Sequence, residues 1–531
     1  MNDATLATAG PRAGRREWVG LAVLALPTLL ISVDVFVMLL ALPHLSAGLG
    51  ADSTQQLWIM DVYSFMIAGF LVTMGTLGDR IGRRKLLLIG AAAFGAASVL
   101  AAYSTSPEML IAARALLGIA GATVAPSTLA LISNMFRDAQ QRGLAIGVWL
   151  VCFMGGAAIG PLVGGVMLES FWWGSVFLLG VPAMLLLFVL GPILLPEYRN
   201  AAAGRLDLPS VALSLAAILP IVYGLKELAR NGWHPVPLAA IVAGTAVGIG
   251  FVRRQHTLAD PLLDMRLFAN RAFSGALGSM FFGTLTMGAM MLFSTQHLQL
   301  VEGLTPLRSG LWMLVPVAVS TASVLLSPLA ARRIRPAYLI GAGLPVSVAG
   351  LLVLTQVDAA SGAIALVTGW GLINLGAGPL VTLGTDLVVG SAPPERAGSA
   401  AALNETSGEF GFALGIATLG SIVTAIYRTG VADAIPAGVP AGAAEAARDT
   451  LAGATAAAAN LPEPLATALL TPAREAFTNG MHVAAGVSAV LLLGVAVLVV
   501  TALRNVRPSG EITTEGPDAQ APIDQPAPAA V

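Results

Sequence analysis

Fourteen runs of mostly apolar residues, each close to the length a helix needs to cross a bilayer, divide this chain from end to end. A helix rises about 1.5 Å per residue, so about 20 residues span the hydrocarbon core. The runs fall at 18–43, 56–78, 86–104, 108–133, 143–168, 174–195, 208–228, 236–252, 271–296, 309–330, 337–355, 362–390, 399–427 and 480–503. In a chain of 531 residues that is 56% hydrophobic and only 11% charged, such blocks predict an all-α polytopic membrane protein and exclude a soluble domain. The first run is too long for a signal-peptide core and ends without a small-residue cleavage site, which predicts a retained helix. The single cysteine, Cys152, lies in an apolar run, so neither a disulfide framework nor a metal site is expected.

Basic residues in the connecting loops set the expected orientation. Of the 28 Lys and Arg, twenty-one fall in the termini and in loops on the amino-terminal side, among them Arg80, Arg83, Arg84, Lys85, Arg137, Arg142, Arg332, Arg333 and Arg335. Six, Lys226, Arg230, Arg308, Arg428, Arg448 and Arg474, fall in the opposite loops, and Arg114 alone is expected at membrane depth. Such an asymmetry predicts both termini in the cytoplasm.

Two landmarks repeat with one offset. The basic turn Arg80–Lys85 returns at Arg332–Arg335, and Arg142-Gly143 returns as Arg396-Ala397-Gly398, each about 250 residues on, as in transporters built from parallel repeats. The expected organisation is a six-helix bundle over 1–200, two inserted helices with their linkers over 201–267, and a second six-helix bundle over 268–505. Residues 428–479 are expected as an Ala- and Pro-rich far-side loop with one or two short amphipathic helices. The polar, Pro-rich tail 506–531 is expected to be disordered.

Four carboxylates interrupt the apolar runs away from their near-face ends: Asp34 in the first, Asp61 in the second, Glu405 and Glu409 in the thirteenth; Asp386, close to the cytoplasmic end of the twelfth, is expected to cap or pair there. A charge at the bilayer centre costs at least ~2.5–3.5 kcal/mol, so each is a functional candidate by default. Their excess over the one buried base points to groups that carry protons or cations rather than to ion pairs that hold helices together. Glu405 and Glu409 are four apart and share a helix face, Glu409 roughly 15 Å inside the end of its run. Asp61 is nearer the opposite surface, so Asp61, Asp34 and Glu409 form an expected ladder across the membrane.

Gly75-Thr76-Leu77-Gly78-Asp79-Arg80-Ile81-Gly82-Arg83-Arg84-Lys85 joins the second and third runs. Its order resembles the signature of the major facilitator superfamily, which implies that Gly75, Asp79, Arg80, Gly82 and Arg83 take part in gating. Gly155-Gly156-Ala157-Ala158-Ile159-Gly160-Pro161-Leu162-Val163-Gly164-Gly165 in the fifth run is similar to the motif of drug:proton antiporters in that superfamily. Pro161 removes a backbone hydrogen bond and Gly160 permits close helix approach, which suits a seam that flexes. Arg114-Ala115-Leu116-Leu117-Gly118 resembles the family's arginine motif, where the arginine influences proton release.

With Ser32-Val33-Asp34 and Ala41-Leu42-Pro43 in the first run, the chain resembles the fourteen-helix drug:H⁺ antiporters over nearly its whole length. The resemblance implies the major facilitator fold and export of lipophilic cations (quaternary ammonium compounds, cationic dyes, biguanide antiseptics) in exchange for protons. Asp34, Asp61, Glu405 and Glu409 would then bind the cation and couple the protons. The tenth run departs from some relatives: 317–324 offers Ser and Thr but no acid. Trp149, Phe281, Met287 and Met291 are candidate pocket-lining residues, soft and aromatic surfaces that suit flat cations, although such side chains also fill ordinary bundles.

The expected partners are small lipophilic cationic drugs, protons and the bilayer, with no nucleic acid, no metal and no cofactor beyond the proton gradient. An alternative substrate class is a neutral or anionic antibiotic, the acids then serving protons alone. A membrane enzyme or sensor is disfavoured: the chain carries no Gly-rich nucleotide loop, no paired-histidine cluster and only five histidines.

Overall fold

The computed structural model describes residues 13–199, 207–258, 261, 263, 265–358, 362–391 and 397–503. Among these, 14 helices are long and apolar enough to cross a membrane. They are α1 (Arg15–Leu49), α2 (Ser53–Ile81), α3 (Arg83–Ala102), α4 (Pro107–Met135), α5 (Ala139–Ser170), α6 (Ser175–Leu194), α7 (Leu208–Asn231), α8 (Pro235–Thr257), α9 (Arg271–Val301), α10 (Pro306–Ala331), α11 (Pro336–Leu354), α12 (Gly362–Gly390), α13 (Ala397–Ala432) and α14 (Glu463–Leu503). No strand occurs among the described residues.

Local sequence explains most helix ends. Asp52 caps α2 by accepting from Gln55 N, with Gln55 reaching back to the Asp52 backbone, and Ser106 accepts from Met109 N ahead of Pro107 in α4. α4 is broken at Ala122–Thr123, where Pro126 supplies no N–H for the preceding turn and the Thr123 hydroxyl bonds back to Ala120 O at 2.7 Å. Gly82 joins α2 to α3 at φ 112°, and a Cβ there would also strike the Glu197 carboxylate, so only glycine fits.

α1 to α6 pack as one bundle and α9 to α14 as a second; the two meet mainly where α2 lies on α13 and α5 on α10. The inserted α7 packs on α8 and touches both α2 and α13, so it sits at the seam. Helices alternate between the face holding both described chain ends, the near face, and the opposite far face.

Two expectations change. α14 begins at Glu463 rather than near 480 and runs unbroken through Pro472. Hydropathy detects only the stretch immersed in lipid, whereas the Ala-rich segment before it keeps helical backbone beyond the membrane. The far-side loop is therefore shorter, and holds the helices Ala441–Asp449 and Leu451–Ala458. Lys226, read as a far-loop residue, is instead buried in α7 with 1% exposure. The helix continues to Asn231, and the lysine stem turns inward to a carboxylate rather than outward to water. The tail 506–531 and the linker 200–206 lie outside the described residues.

Candidate functional site

The acids converge on α2. Arg114 Nη1 of α4 donates to Asp34 Oδ2 of α1 at 2.9 Å, Arg114 Nε donates to Ile59 O at 3.1 Å, and the guanidinium lies 4.5 Å from the centroid of the Tyr63 ring. Gly118, one turn after Arg114, allows this approach, since a Cβ there would meet Tyr63 O and, at 2.7 Å, Met66 Cβ. The Asp34 side chain keeps 13% exposure against 2% for Arg114, so the carboxylate opens onto free space while the base is enclosed.

Tyr63 has Asp34, Arg114 and Glu409 as its charged neighbours, and Glu409 of α13 stands beside Ser64 and Glu405. Among the described residues no base pairs with either glutamate. Glu405 is exposed and Glu409 half-buried. Asp34 and Glu409 thus flank Tyr63 from opposite bundles, with Glu405 one turn from Glu409 on α13.

Asp61 departs from the expected ladder. It lies two residues from Tyr63, roughly 200° around the helix, and faces α7. There its Oδ2 lies 2.8 Å from Lys226 Nζ, both side chains being 0% exposed, and Nζ is 3.8 Å from the centroid of the Trp58 ring. Sequence reading missed Lys226. The available signal was an apolar face on the inserted helix, Ile218 and Val222, with a lysine one turn further on.

The glycines of α5 form the seam against α1. A Cβ on Gly156 would lie 2.5 Å from Leu29 O, one on Gly160 2.9 Å from Phe36 Cβ, and one on Gly164 2.9 Å from Val37 Cγ1. The same helix meets α10 at the far face, where Gly165 stacks on Leu307 and Gly310 on Pro161 O. Pro161 therefore lies where α5 crosses from its own bundle to the other. Near the opposite end Asp79 pairs with Arg83 at 2.7 Å, Arg83 Nη1 donates to Pro126 O at 3.3 Å, and Arg84 Nη1 donates to Leu195 O at 2.9 Å. That turn is latched to α4 and α6. Arg80 is exposed, and Gly75 meets only Pro126 Cβ at 3.9 Å, so nothing near Gly75 demands glycine.

At the far face, hydrogen bonds join the bundles: Gln299 Nε2 donates to Leu40 O at 3.2 Å, and Leu307 N to Glu169 Oε1 at 3.3 Å; deeper in the membrane Ser64 of α2 bonds to Glu409 of α13. The short far-side helices brace this end, with Tyr427 Oη donating to Ala447 O at 2.7 Å and Arg428 paired with Asp449. The two bundles are joined at the far face as well as deeper in the membrane, where α2 lies on α13.

Of the expected pocket-lining residues, Phe281 alone borders the large apolar cavity of about 430 Å³, together with Phe65, Ile218, Phe251, Phe268 and Phe410. Met287 and Met291 pack on the core about 9 and 15 Å of helix rise nearer the far face than Phe281. Trp149 is buried, donating to Thr128 Oγ1 at 3.1 Å and stacking on Phe153. Their side chains satisfy packing and hydrogen bonding instead of lining that space.

Residues 24–416 match the model of the Major Facilitator Superfamily. The multidrug efflux pump LfrA of Mycolicibacterium smegmatis is 44% identical over 493 residues, 93% of this chain and 97% of that protein. The methyl viologen resistance protein SmvA of Salmonella typhimurium is 34% identical, over 91% of this chain and 97% of that protein. Among solved structures, a bacterial homologue of the human lysosomal transporter Spinster aligns with a TM-score of 0.65 at 15% identity, covering 92% of this chain and 99% of that one. The fourteen apolar helices and bacterial relatives place the chain as a multi-pass protein of the inner membrane. The chain belongs to the Major Facilitator Superfamily, in the branch that holds these multidrug efflux pumps.

Proposed function

We propose that the protein is a proton-coupled efflux antiporter that exports lipophilic cations by alternating access, with its near face and both termini in the cytoplasm. The observation that carries this reading is the pair Glu405 and Glu409, which lacks a basic partner among the described residues and lies on α13, the helix that packs on α2 across the bundle interface, with Glu409 beside Ser64. A carboxyl held out of water prefers its protonated form, and a cation arriving beside it favours the ionised form. Cation binding and proton release are thereby linked on the same oxygens. The names of the similar proteins, a multidrug efflux pump and a methyl viologen resistance protein, support the substrate class. The near-face arginines support the orientation.

Exchange of one monovalent cation for one proton moves no net charge and draws only on the pH gradient, ~1.4 kcal/mol per unit. A second proton would add the membrane potential, ~2.3 kcal/mol per 100 mV. Several titratable acids in one interface permit the second regime. The test is ethidium transport in everted vesicles energised by an imposed pH gradient. Accumulation that collapses with the gradient is expected, and transport indifferent to the gradient would overturn the reading.

One observation favours a second substrate class, a neutral or anionic antibiotic. Asp34 and Asp61 already carry internal counter-charges, Arg114 and Lys226, which leaves the glutamates for protons. Addition of ethidium to detergent-solubilised protein separates the two: proton release accompanies cation export, and its absence accompanies the alternative.

A further inference from the structure

The inserted helices supply one charged group to the bundle interface, and its setting has the form of an occupied ligand site. Lys226 Nζ lies 2.8 Å from Asp61 Oδ2 and 3.1 Å from Asp61 Oδ1, and stands over the Trp58 ring at 3.8 Å. A carboxylate beside an aromatic face is the chemistry that recognises organic ammonium ions. Here the cation is part of the chain, held on a flexible four-carbon stem from a helix outside both six-helix bundles.

The same faces lead inward to open space. Trp58, Asp61 and Phe65 follow one another on one side of α2, and Ile218, Val222 and Lys226 do so on the facing side of α7. Phe65 and Ile218, with Phe410 of α13, border the cavity of about 430 Å³ on the near-face side of the ion pair. Asp61 is one helical turn, about 6 Å of rise, from Phe65. A lipophilic cation in the aromatic cavity therefore has one step to take to reach the carboxylate, and Lys226 stands in its way.

We propose that Trp58 and Asp61 form a binding site for a lipophilic monocation, that Lys226 occupies this site when cargo is absent, and that cargo arriving through the aromatic cavity displaces it. The proposal rests on the cation-export reading above and extends it by giving α7 a task. Exchange of one monocation for another leaves the charge beside Asp61 unchanged, so the carboxylate is never stranded without a partner in a dry interface. The displaced ammonium has a route, because Lys226 is two residues from the end of the apolar stretch Leu208–Leu228 and its stem can reach toward the far face. A tethered competitor also weakens every cargo by its effective concentration, which favours release after transport.

The test is ethidium binding to purified protein at pH 7, read by fluorescence anisotropy. Lys226→Met removes the competitor, and at least tenfold tighter binding is expected. Lys226→Arg keeps the charge but offers Asp61 two parallel hydrogen bonds, so weaker binding than wild type is expected. Asp61→Asn combined with Lys226→Met erases the gain. Monodisperse Lys226→Met and Lys226→Arg proteins that both bind like wild type overturn the proposal. If Lys226→Met does not fold, Lys226→Arg alone decides it, since unchanged affinity there is equally fatal. Wild type that fails to bind while Lys226→Met binds overturns the displacement, because cargo then cannot dislodge the lysine; failure of both removes the proposal and the export reading together.

Discussion

Arg114 and Asp34 form the ion pair between α4 and α1, with Nη1 2.9 Å from Oδ2, and the arginine holds more partners than the acid. Arg114 also donates to Ile59 O and lies over Tyr63, whereas the described bonds give Asp34 the guanidinium alone. Removing the base therefore strands a carboxylate; removing the acid leaves the base two contacts. Arg114→Met is expected to cost about 3–5 kcal/mol and Asp34→Asn clearly less. Thermal unfolding in detergent reads the order, and an equal or reversed loss would show that the pair does not brace the bundle as described.

Glu409 and Glu405 differ in setting and should differ in effect. Glu409 stands beside Ser64 and among the charged neighbours of Tyr63, while Glu405 is the more accessible of the two. Glu409→Gln is expected to abolish ethidium-induced proton release and to cut gradient-driven efflux more than tenfold. Glu405→Gln is expected to keep at least a third of both. A pH electrode on weakly buffered protein checks the first quantity, and everted vesicles check the second.

The sequence made the spans, the Gly75–Lys85 turn and the four acids legible because each has a local signature: apolar length, glycine spacing, a charge where lipid forbids it. Partners were not legible. Arg114 meets Asp34 across 80 residues and Lys226 meets Asp61 across 165, and neither separation leaves a trace in any window of the chain. Lys226 was misplaced because it lies at the edge of its apolar run, where a lysine ordinarily turns to water. Met287 and Met291 had the right chemistry for a pocket, but their position along α9 puts them beyond the cavity that Phe281 borders. Residue type was readable; helix depth and azimuth were tertiary facts.

The far-face seam gives a conformational prediction. Gly310 has no room for a side chain, because a Cβ would run into Pro161 O, and Gly165 lies against Leu307. Gly310→Val is therefore expected to wedge α10 from α5 and shift the population away from the far-sealed state. Spin labels at Thr105 and Gln356, both on the far face and exposed, report it after Cys152→Ser. Longer interlabel distances in the variant are expected, and an unchanged distribution would mean that this seam does not hold the bundles together.

Asp207 ties the inserted hairpin at the near face. It caps α7 by accepting from Ser210 N and lies 2.9 Å from Arg254 of α8. Burial pushes its carboxyl up, but the Ser210 hydroxyl and backbone and the Arg254 guanidinium outweigh that and hold it below the ordinary carboxylate value of 3.8. An acid held down in the fold stabilises it at every pH above its unfolded value, and the contribution fades as pH falls through the folded one. Loss of such a cap costs about 1 kcal/mol. Asp207→Ala is expected to speed amide exchange in the first turns of α7 about fivefold at pH 7, by that same 1 kcal/mol, once intrinsic rates are corrected. The difference from wild type should shrink below about pH 4, where the wild-type carboxyl begins to take up its proton. Equal exchange at pH 7 would show that α7 holds its start without this cap, and a difference that persists undiminished in acid would assign it to packing rather than to charge.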